Sequence, residues 1–289
     1  TTATDVYNVA VGHDAGNAIT TGVKNVIVGG LAGDAITTGE RNVYIGHTTG
    51  TSATDVDFNT GLGAEALYTN VNGSRNVAVG NGALFAMNPA TNTDTYNVAV
   101  GYDAGVSVTT GVNNTLIGGL AGDAITTGIR HTALGQGSLS TETTGRAAVA
   151  VGFNALATLN VGSNLESYNV AVGSEAGASM TVGLRNTLLG GLAGDALTDA
   201  DDNIAVGQAA LGADTLGSKS VAIGRAALGA QNFTTATDTY NVAVGHNAGL
   251  SVTTGTLNTL VGGLAGDANT TGFNNVAMGY DALGSNTAS

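Results

Sequence analysis

The chain has 289 residues, with 46 glycines, one proline, no cysteine and a formal net charge of −13 at pH 7. Without cysteine it has no disulfide, thiolate metal site or cysteine nucleophile, and an acidic surface repels the phosphate backbone of nucleic acids. No run of about 18 apolar residues is present to form a membrane helix. We therefore expect no nucleic-acid partner and no membrane insertion by this segment.

A pentapeptide of the form Asn-Val-Ala-Val-Gly occurs sixteen times in recognisable form. Its first residues are Asn8, Asn25, Asn42, Asn59, Asn76, Asn97, Asn114, His131, Ala148, Asn169, Asn186, Asn203, Ser220, Asn241, Asn258 and Asn275. Their numbers rise in steps of 17, apart from three steps of 21. A period this short and strict is typical of one structural unit stacked on copies of itself. We predict a single continuous repeat domain over residues 1–289.

Positions within a repeat are numbered here from its first residue. Position 5 is glycine in all sixteen repeats, from Gly12 to Gly279, and position 4 is always apolar. Positions 2 and 4 point to the same side of a strand, so we predict that they fill the core. Position 8 is alanine in fourteen repeats, and a second turn follows near position 15. The pattern predicts an all-β fold, a parallel β-solenoid (β-roll) of about sixteen coils.

Position 1 is asparagine in thirteen repeats. Stacked asparagine side chains can hydrogen-bond from one coil to the next. The alternative is that each asparagine serves only its own turn. The predicted ladder includes Asn8, Asn25, Asn42, Asn97, Asn114, Asn186 and Asn258.

Position 3 is small or apolar in every repeat, although it should face away from the predicted core. A continuous apolar strip on a soluble rod marks an interface. We therefore expect identical chains to associate laterally, most simply as a trimer. The alternative is that position 3 packs inside one wider solenoid. The predicted inter-chain interface includes Ala10, Ile27, Tyr44, Ala99, Leu116, Leu188 and Leu260.

The three longer steps group the repeats into blocks. The predicted blocks are residues 7–95, 96–167, 168–239 and 240–289. Within a block, position 9 changes from Gly in the first two repeats to, usually, Leu in the last two. The four extra residues of a longer step, as at 92–95, are predicted to form a surface loop after the fourth coil.

Written as Asn-Val-Ala-Val-Gly-x-x-Ala, the repeat resembles the head repeat of YadA-like trimeric autotransporter adhesins. Residues 7–12 and 219–224 carry the match. The resemblance implies a trimer of left-handed parallel β-rolls, although the period of that family is shorter than the one found here. Repeats with the longer period are similar to those of phage tail fibres and bacterial surface proteins. The resemblance implies no particular receptor; a cell-surface protein or a glycan would fit.

Chemistry-bearing residues are sparse. The histidines lie far apart in the chain and suggest no catalytic dyad; they are His13, His47, His131 and His246. Calcium needs six to eight oxygen ligands, more than one aspartate per coil supplies, but loops of neighbouring chains could share an ion. The aspartates concerned are Asp34, Asp123, Asp195 and Asp267, and the denser group Asp199, Asp201 and Asp202. Ice binding by threonine rows is a further alternative, although several coils lack the Thr-Thr pair.

These features predict a structural and adhesive fibre module without catalysis and without cofactor, located outside the cell, on a cell surface or on a virion. It would act as a spacer or recognition shaft of a surface adhesin or phage tail fibre. The alternative is a self-assembling subunit of an extracellular filament that stacks end to end, because no repeat has the character of a capping coil.

Overall fold

A computed structural model describes residues 6–162 and 165–287. Residues 1–5 of the predicted domain lie outside the described residues, as do 163, 164, 288 and 289 of the second and fourth predicted blocks. The described residues contain strands and turns but no helix, and hence none that could cross a membrane. They fall into two compact units, residues 1–144 and 145–289.

The first unit contains ten short strands. They are β1 (Val9–Val11), β2 (Val26–Val28), β3 (Val43–Ile45), β4 (Thr60–Leu62), β5 (Gly73–Ser74), β6 (Val77–Val79), β7 (Thr93–Asp94), β8 (Val98–Val100), β9 (Thr115–Ile117) and β10 (Thr132–Leu134). The eight three-residue strands pair in parallel in chain order. The two-residue strands β5 and β7 form a separate parallel pair.

The second unit has the same organisation. Its strands are β11 (Val149–Val151), β12 (Val170–Val172), β13 (Thr187–Leu189), β14 (Ile204–Val206), β15 (Gly217–Ser218), β16 (Val221–Ile223), β17 (Thr237–Asp238), β18 (Val242–Val244), β19 (Thr259–Val261) and β20 (Val276–Met278). Eight of them again pair in parallel in chain order. β15 and β17 form the separate pair.

Each described pairing of three-residue strands joins the same repeat position in consecutive coils. Val26 pairs with Val43, its equivalent in the next coil. Across a longer step, Val77 pairs with Val98 without a change of register. The predicted parallel β-solenoid of about sixteen coils, with its regular period, is therefore confirmed.

The four extra residues of a long coil are accommodated in a turn. In the first long coil, Thr93 pairs with Gly73, 20 residues earlier in the chain, and Val98 pairs with Val77, 21 residues earlier. Three of the four extra residues therefore lie before β7, and the fourth lies between β7 and β8. In the third, Thr237 pairs with Gly217 in the same way. The loop thus lies a few residues earlier than the predicted 92–95. The strand of the next coil, β8, consequently begins in register with β6.

The strands face the opposite way from the prediction. In fifteen of the sixteen three-residue strands the middle residue, position 3, is buried, while positions 2 and 4 are half-buried or exposed. Six residues of the predicted inter-chain interface are 0% exposed within their own chain: Ile27, Tyr44, Ala99, Leu116, Leu188 and Leu260. Ala10 is exposed in the first coil, where β1 has a single neighbour. The interface assignment was wrong, and the alternative that position 3 packs inside the solenoid is correct.

The physical reason is a volume exchange between positions 3 and 9, which meet inside the coil. A Cβ atom on Gly122 would lie 2.8 Å from a methyl group of Leu116, so a large position 3 requires glycine at position 9. Where position 3 is Ala133, position 9 is the fully buried Leu139. The β-branched residues at positions 2 and 4 favour an extended backbone and need no burial for that purpose.

The glycine at position 5 forms the corner that follows each strand. Gly12 has a φ of 134°, and a Cβ atom there would lie 2.5 Å from the carbonyl oxygen of Gly29 in the next coil. Both the backbone conformation and the close approach of the next coil exclude a side chain. This explains why the position is glycine in every repeat.

Candidate functional site

The asparagine at position 1 joins each coil to its neighbour from the inside. The side-chain oxygen of Asn25 accepts the backbone N–H of Asn42 at 2.9 Å, and its amide donates to the carbonyl of Gly39 at 2.9 Å. The first bond links consecutive coils, and the second closes the asparagine's own coil. Both bonds are made by all seven residues of the predicted ladder: Asn8, Asn25, Asn42, Asn97, Asn114, Asn186 and Asn258.

A buried polar network replaces part of this ladder where position 1 is Ser220. The amide nitrogen of Gln231 donates to Asp214 at 2.6 Å and to Ser220 at 2.8 Å. Its oxygen accepts the side-chain amide of Asn241 at 2.8 Å. Gln231 and Asp214 occupy position 12, which is apolar in most coils, as at Ile36. The sequence analysis missed this network, although polar residues at a mostly apolar position were the signal for it.

The outward face of the sheet in each unit, formed by positions 2 and 4, carries no charge. In all sixteen repeats these positions hold only Val, Ile, Leu, Met or Thr. Several are well exposed, among them Leu62 at 45%, Leu134 at 43% and Ile204 at 40%. Eight strands spaced about 4.8 Å apart make this face about 34 Å long in each unit. A contiguous apolar surface of this kind is typical of an interaction site.

A row of basic and aromatic residues borders that face at the residue immediately before position 1. Six of the eight Lys and Arg residues stand in this row: Lys24, Arg41, Arg75, Arg130, Arg185 and Lys219. Five aromatic residues share it: Tyr7, Phe58, Tyr96, Tyr168 and Tyr240. The backbone is left-handed here, with φ of 64° at Arg75, a conformation that non-glycine residues seldom adopt. This basic-aromatic row was not recognised from the sequence.

Neighbouring members of the basic-aromatic row stack on each other. The guanidinium of Arg75 lies 4.6 Å from the ring centroid of Phe58 and 5.8 Å from that of Tyr96. Arg75 also contacts Asp94 at 2.8 Å, and this hydrogen bond raises the pKa of the guanidinium. Four of the six cations of the row pair with acids of their own chain: Arg41, Arg75, Arg185 and Lys219.

The acidic group predicted as a possible metal site is held by an arginine. Arg185 contacts Asp201 at 3.3 Å and Asp202 at 2.7 Å, and its hydrogen bond lowers the pKa of Asp202. Of the aspartates at position 10, Asp123 and Asp195 have a raised pKa because of burial. Among residues 6–162 and 165–287, no group of three or more His, Cys, Asp or Glu side chains is placed to hold a metal ion.

The four histidines differ in surroundings. His131 is buried at position 1, where its backbone N–H donates to Asn114 at 3.0 Å. His13 is exposed, 3.3 Å from Asp14. His246 lies 3.5 Å from a guanidinium nitrogen of Arg225. His47 Nδ1 lies 3.4 Å from the hydroxyl oxygen of Thr48, and that hydroxyl donates to the backbone carbonyl of His47 at 2.7 Å.

No protein-family model matches this sequence, and no curated protein matches it either. The resemblance to YadA-like head repeats and to tail-fibre repeats thus stays a prediction.

Proposed function

We propose that the chain is a structural and adhesive fibre module, outside the cell or on a virion, that acts as a non-catalytic spacer or recognition shaft. The observation that carries the proposal is the repetition of the same internal bonds from coil to coil. Each asparagine ties its coil to the next, alongside the backbone ladder of the sheet. Solenoids of this kind resist bending because every coil is bonded to both neighbours.

Lateral association belongs to the same proposal. Copies associate, most simply as a trimer, through the outward sheet face instead of the buried position 3. That face measures about 34 Å by about 10 Å in each unit, or roughly 340 Å². A stable interface buries roughly 800 Å² per partner, so lateral association requires the faces of both units.

The test is to place charge on the outward sheet face. The variant carries four substitutions at position 4: Leu62→Lys, Leu134→Lys, Val172→Lys and Ile223→Lys. Exposed positions tolerate lysine in the monomer, whereas an interface excludes four desolvated charges. We expect sedimentation equilibrium to show a loss of oligomer.

A matched control adds the same charge on another face, at exposed threonines of position 14. It carries Thr21→Lys, Thr110→Lys, Thr254→Lys and Thr271→Lys. The control should keep the oligomer. A monomeric wild-type rod, or an oligomer that survives the position-4 substitutions, would remove lateral association from the proposal and leave the isolated spacer.

A second candidate is a filament subunit that stacks end to end. In the described chain, β1 and β20 each pair with one strand only. Their outer residues are well exposed, with Val9 at 49% and Val276 at 71%. Unpaired strand edges add further strands readily. Electron microscopy over a range of concentrations decides between the candidates, because growth into long filaments contradicts the spacer and rods of constant length contradict the filament.

A further inference from the structure

A shallow apolar groove of about 460 Å³ lies on the turn side of the second unit, away from the outward sheet face. Its lining includes Leu192, Ala209, Gly212, Ala226, Gly229 and Leu250. Gly212 and Gly229 occupy position 10 of two consecutive coils. Their lack of side chains leaves the alanines around them uncovered.

The first unit carries two aromatic rings at the same place. Position 10 of the corresponding coils, two blocks earlier in the chain, is Tyr68 and Phe85. Their rings are parallel, with centroids 4.9 Å apart and an interplanar angle of 2°, and both residues are half-buried. The first unit thus has a ridge of two stacked rings where the second unit has a hollow.

The charges around ridge and groove also differ. Near the ridge, position 7 holds Glu65 and Asp103, and the corresponding residues of the second unit are Ala209 and Asn247. Arg225, beside the groove, replaces a neutral asparagine of the first unit. The groove also has one acidic residue in its lining, Asp195. These residues give the ridge two negative charges and leave the groove neutral.

We propose that the groove receives the Tyr68–Phe85 ring pair of a second copy of this chain. The ring spacing of 4.9 Å matches the rise of about 4.8 Å between the two coils that form the groove. Ridge and groove are built on the same repeat. The two rings of the ridge therefore have the dimensions of the side chains that Gly212 and Gly229 lack. Stacked rings that enter an alanine-lined hollow bury apolar area that water otherwise covers.

The contact has a consequence for assembly. Ridge and groove are different patches of one chain, so the interface is heterologous, and successive copies can propagate it. It joins copies through a surface that lateral association by the sheet face does not use, and it does not depend on that association.

Two double variants and their mixture test the contact. Tyr68→Ala with Phe85→Ala removes the ridge. Gly212→Tyr with Gly229→Phe fills the groove, and the first unit shows that the repeat accommodates these side chains at position 10. We expect each variant alone to associate at least about tenfold more weakly than wild type, as for the loss of an interface hot spot. An equimolar mixture should recover part of the association, because it combines an intact ridge with an intact groove.

Analytical ultracentrifugation gives the readout, and circular dichroism checks that each variant is folded. Asn17→Tyr is the matched control, since it adds a ring at an exposed position 10 outside the groove. The position-4 lysine variant provides a background without sheet-face association, in which the mixture should still recover. Association unchanged in both double variants, or a mixture no stronger than its components, would overturn the proposal.

Discussion

At the scale of single residues, the position-1 asparagine satisfies backbone groups that the interior would otherwise leave without partners. Asn186 accepts the N–H of Asn203 at 2.9 Å and donates to the carbonyl of Ala200 at 2.7 Å. Buried backbone groups without partners are costly, whereas an apolar side chain at position 1 could make neither bond. The same logic explains why a buried polar network, around Gln231, stands where serine replaces the asparagine.

Asn186→Ala should therefore destabilise the second unit by about 2–6 kcal/mol, since two buried groups lose their partners at about 1–3 kcal/mol each. Urea denaturation measures the loss, and hydrogen exchange of the Asn203 amide should accelerate. Asn17→Ala, at an exposed site, is the control and should change stability by less than about 0.5 kcal/mol. Equal effects of the two substitutions would contradict the structural role of the ladder.

The exchange of volume between positions 3 and 9 gives a second residue-scale prediction. Leu116→Ala should cost about 2–5 kcal/mol, because it leaves a cavity. Adding Gly122→Leu should recover about half, since the next coil combines Ala133 with Leu139 at a φ of 54°. Thermal unfolding of the single and double variants measures the recovery. A double variant less stable than Leu116→Ala would show that the two positions do not share one space.

At the scale of the element, each coil is a three-residue strand followed by tight turns, and its corners tolerate different lengths. The long coils keep β6 in register with β8 because the extra residues lie around β7, three before it and one after it, outside the three-residue strands. The buried positions, by contrast, are fixed by the glycine corner and by the space that the facing side chains leave. The number of residues is therefore variable at one corner of the coil and constrained in the rest of it.

Deleting residues 90–93, which are exposed or half-buried, shortens the first long coil to the usual length and should leave the first unit folded. A shorter loop costs less closure entropy, so we expect a change in stability within about 2 kcal/mol. Deleting residues 32–35 from a coil of the usual length is the matched control and should abolish folding of that unit, because it removes the buried Ala32. Circular dichroism and thermal unfolding distinguish the outcomes. Similar behaviour of both deletions would place the extra residues outside the turn.

At the scale of the whole molecule, the net charge of −13 and the charge-free sheet faces act against each other when copies approach. Four of the six cations of the basic-aromatic row are paired with acids of their own chain, as Lys219 is with Asp238 at 2.5 Å. Little positive charge thus remains to attract the acids of a second copy. Repulsion between copies is therefore long-ranged, and their attraction is apolar and short-ranged.

Salt should consequently strengthen lateral association. Raising sodium chloride from about 20 mM to about 500 mM shortens the Debye length to a few ångströms and screens the repulsion. Sedimentation equilibrium should show tighter oligomers at high salt. Weaker association at high salt would instead show that ion pairs between copies, through the basic-aromatic row, hold the assembly.

Periodicity by itself determined the architecture. A strict repeat spacing, an invariant glycine and a position-1 asparagine are enough to predict a parallel β-solenoid with an internal ladder. Such a pattern is typical of one structural unit stacked on copies of itself. The loop of the long coils was predicted to within a few residues. These features depend on local chemistry that repeats, so the sequence displays them directly.

Tertiary structure alone decided which face of each strand is inside. Alternation predicts that positions 2 and 4 lie together, and that position 3 lies opposite, but both sets are apolar here, so hydrophobicity does not choose between them. Packing inside the coil places position 3 in the core, because Leu116 fills the space that Gly122 leaves. The pairing of every large position-3 residue with a glycine at position 9 was visible in the sequence, but it has physical meaning only once the two positions are known to face each other.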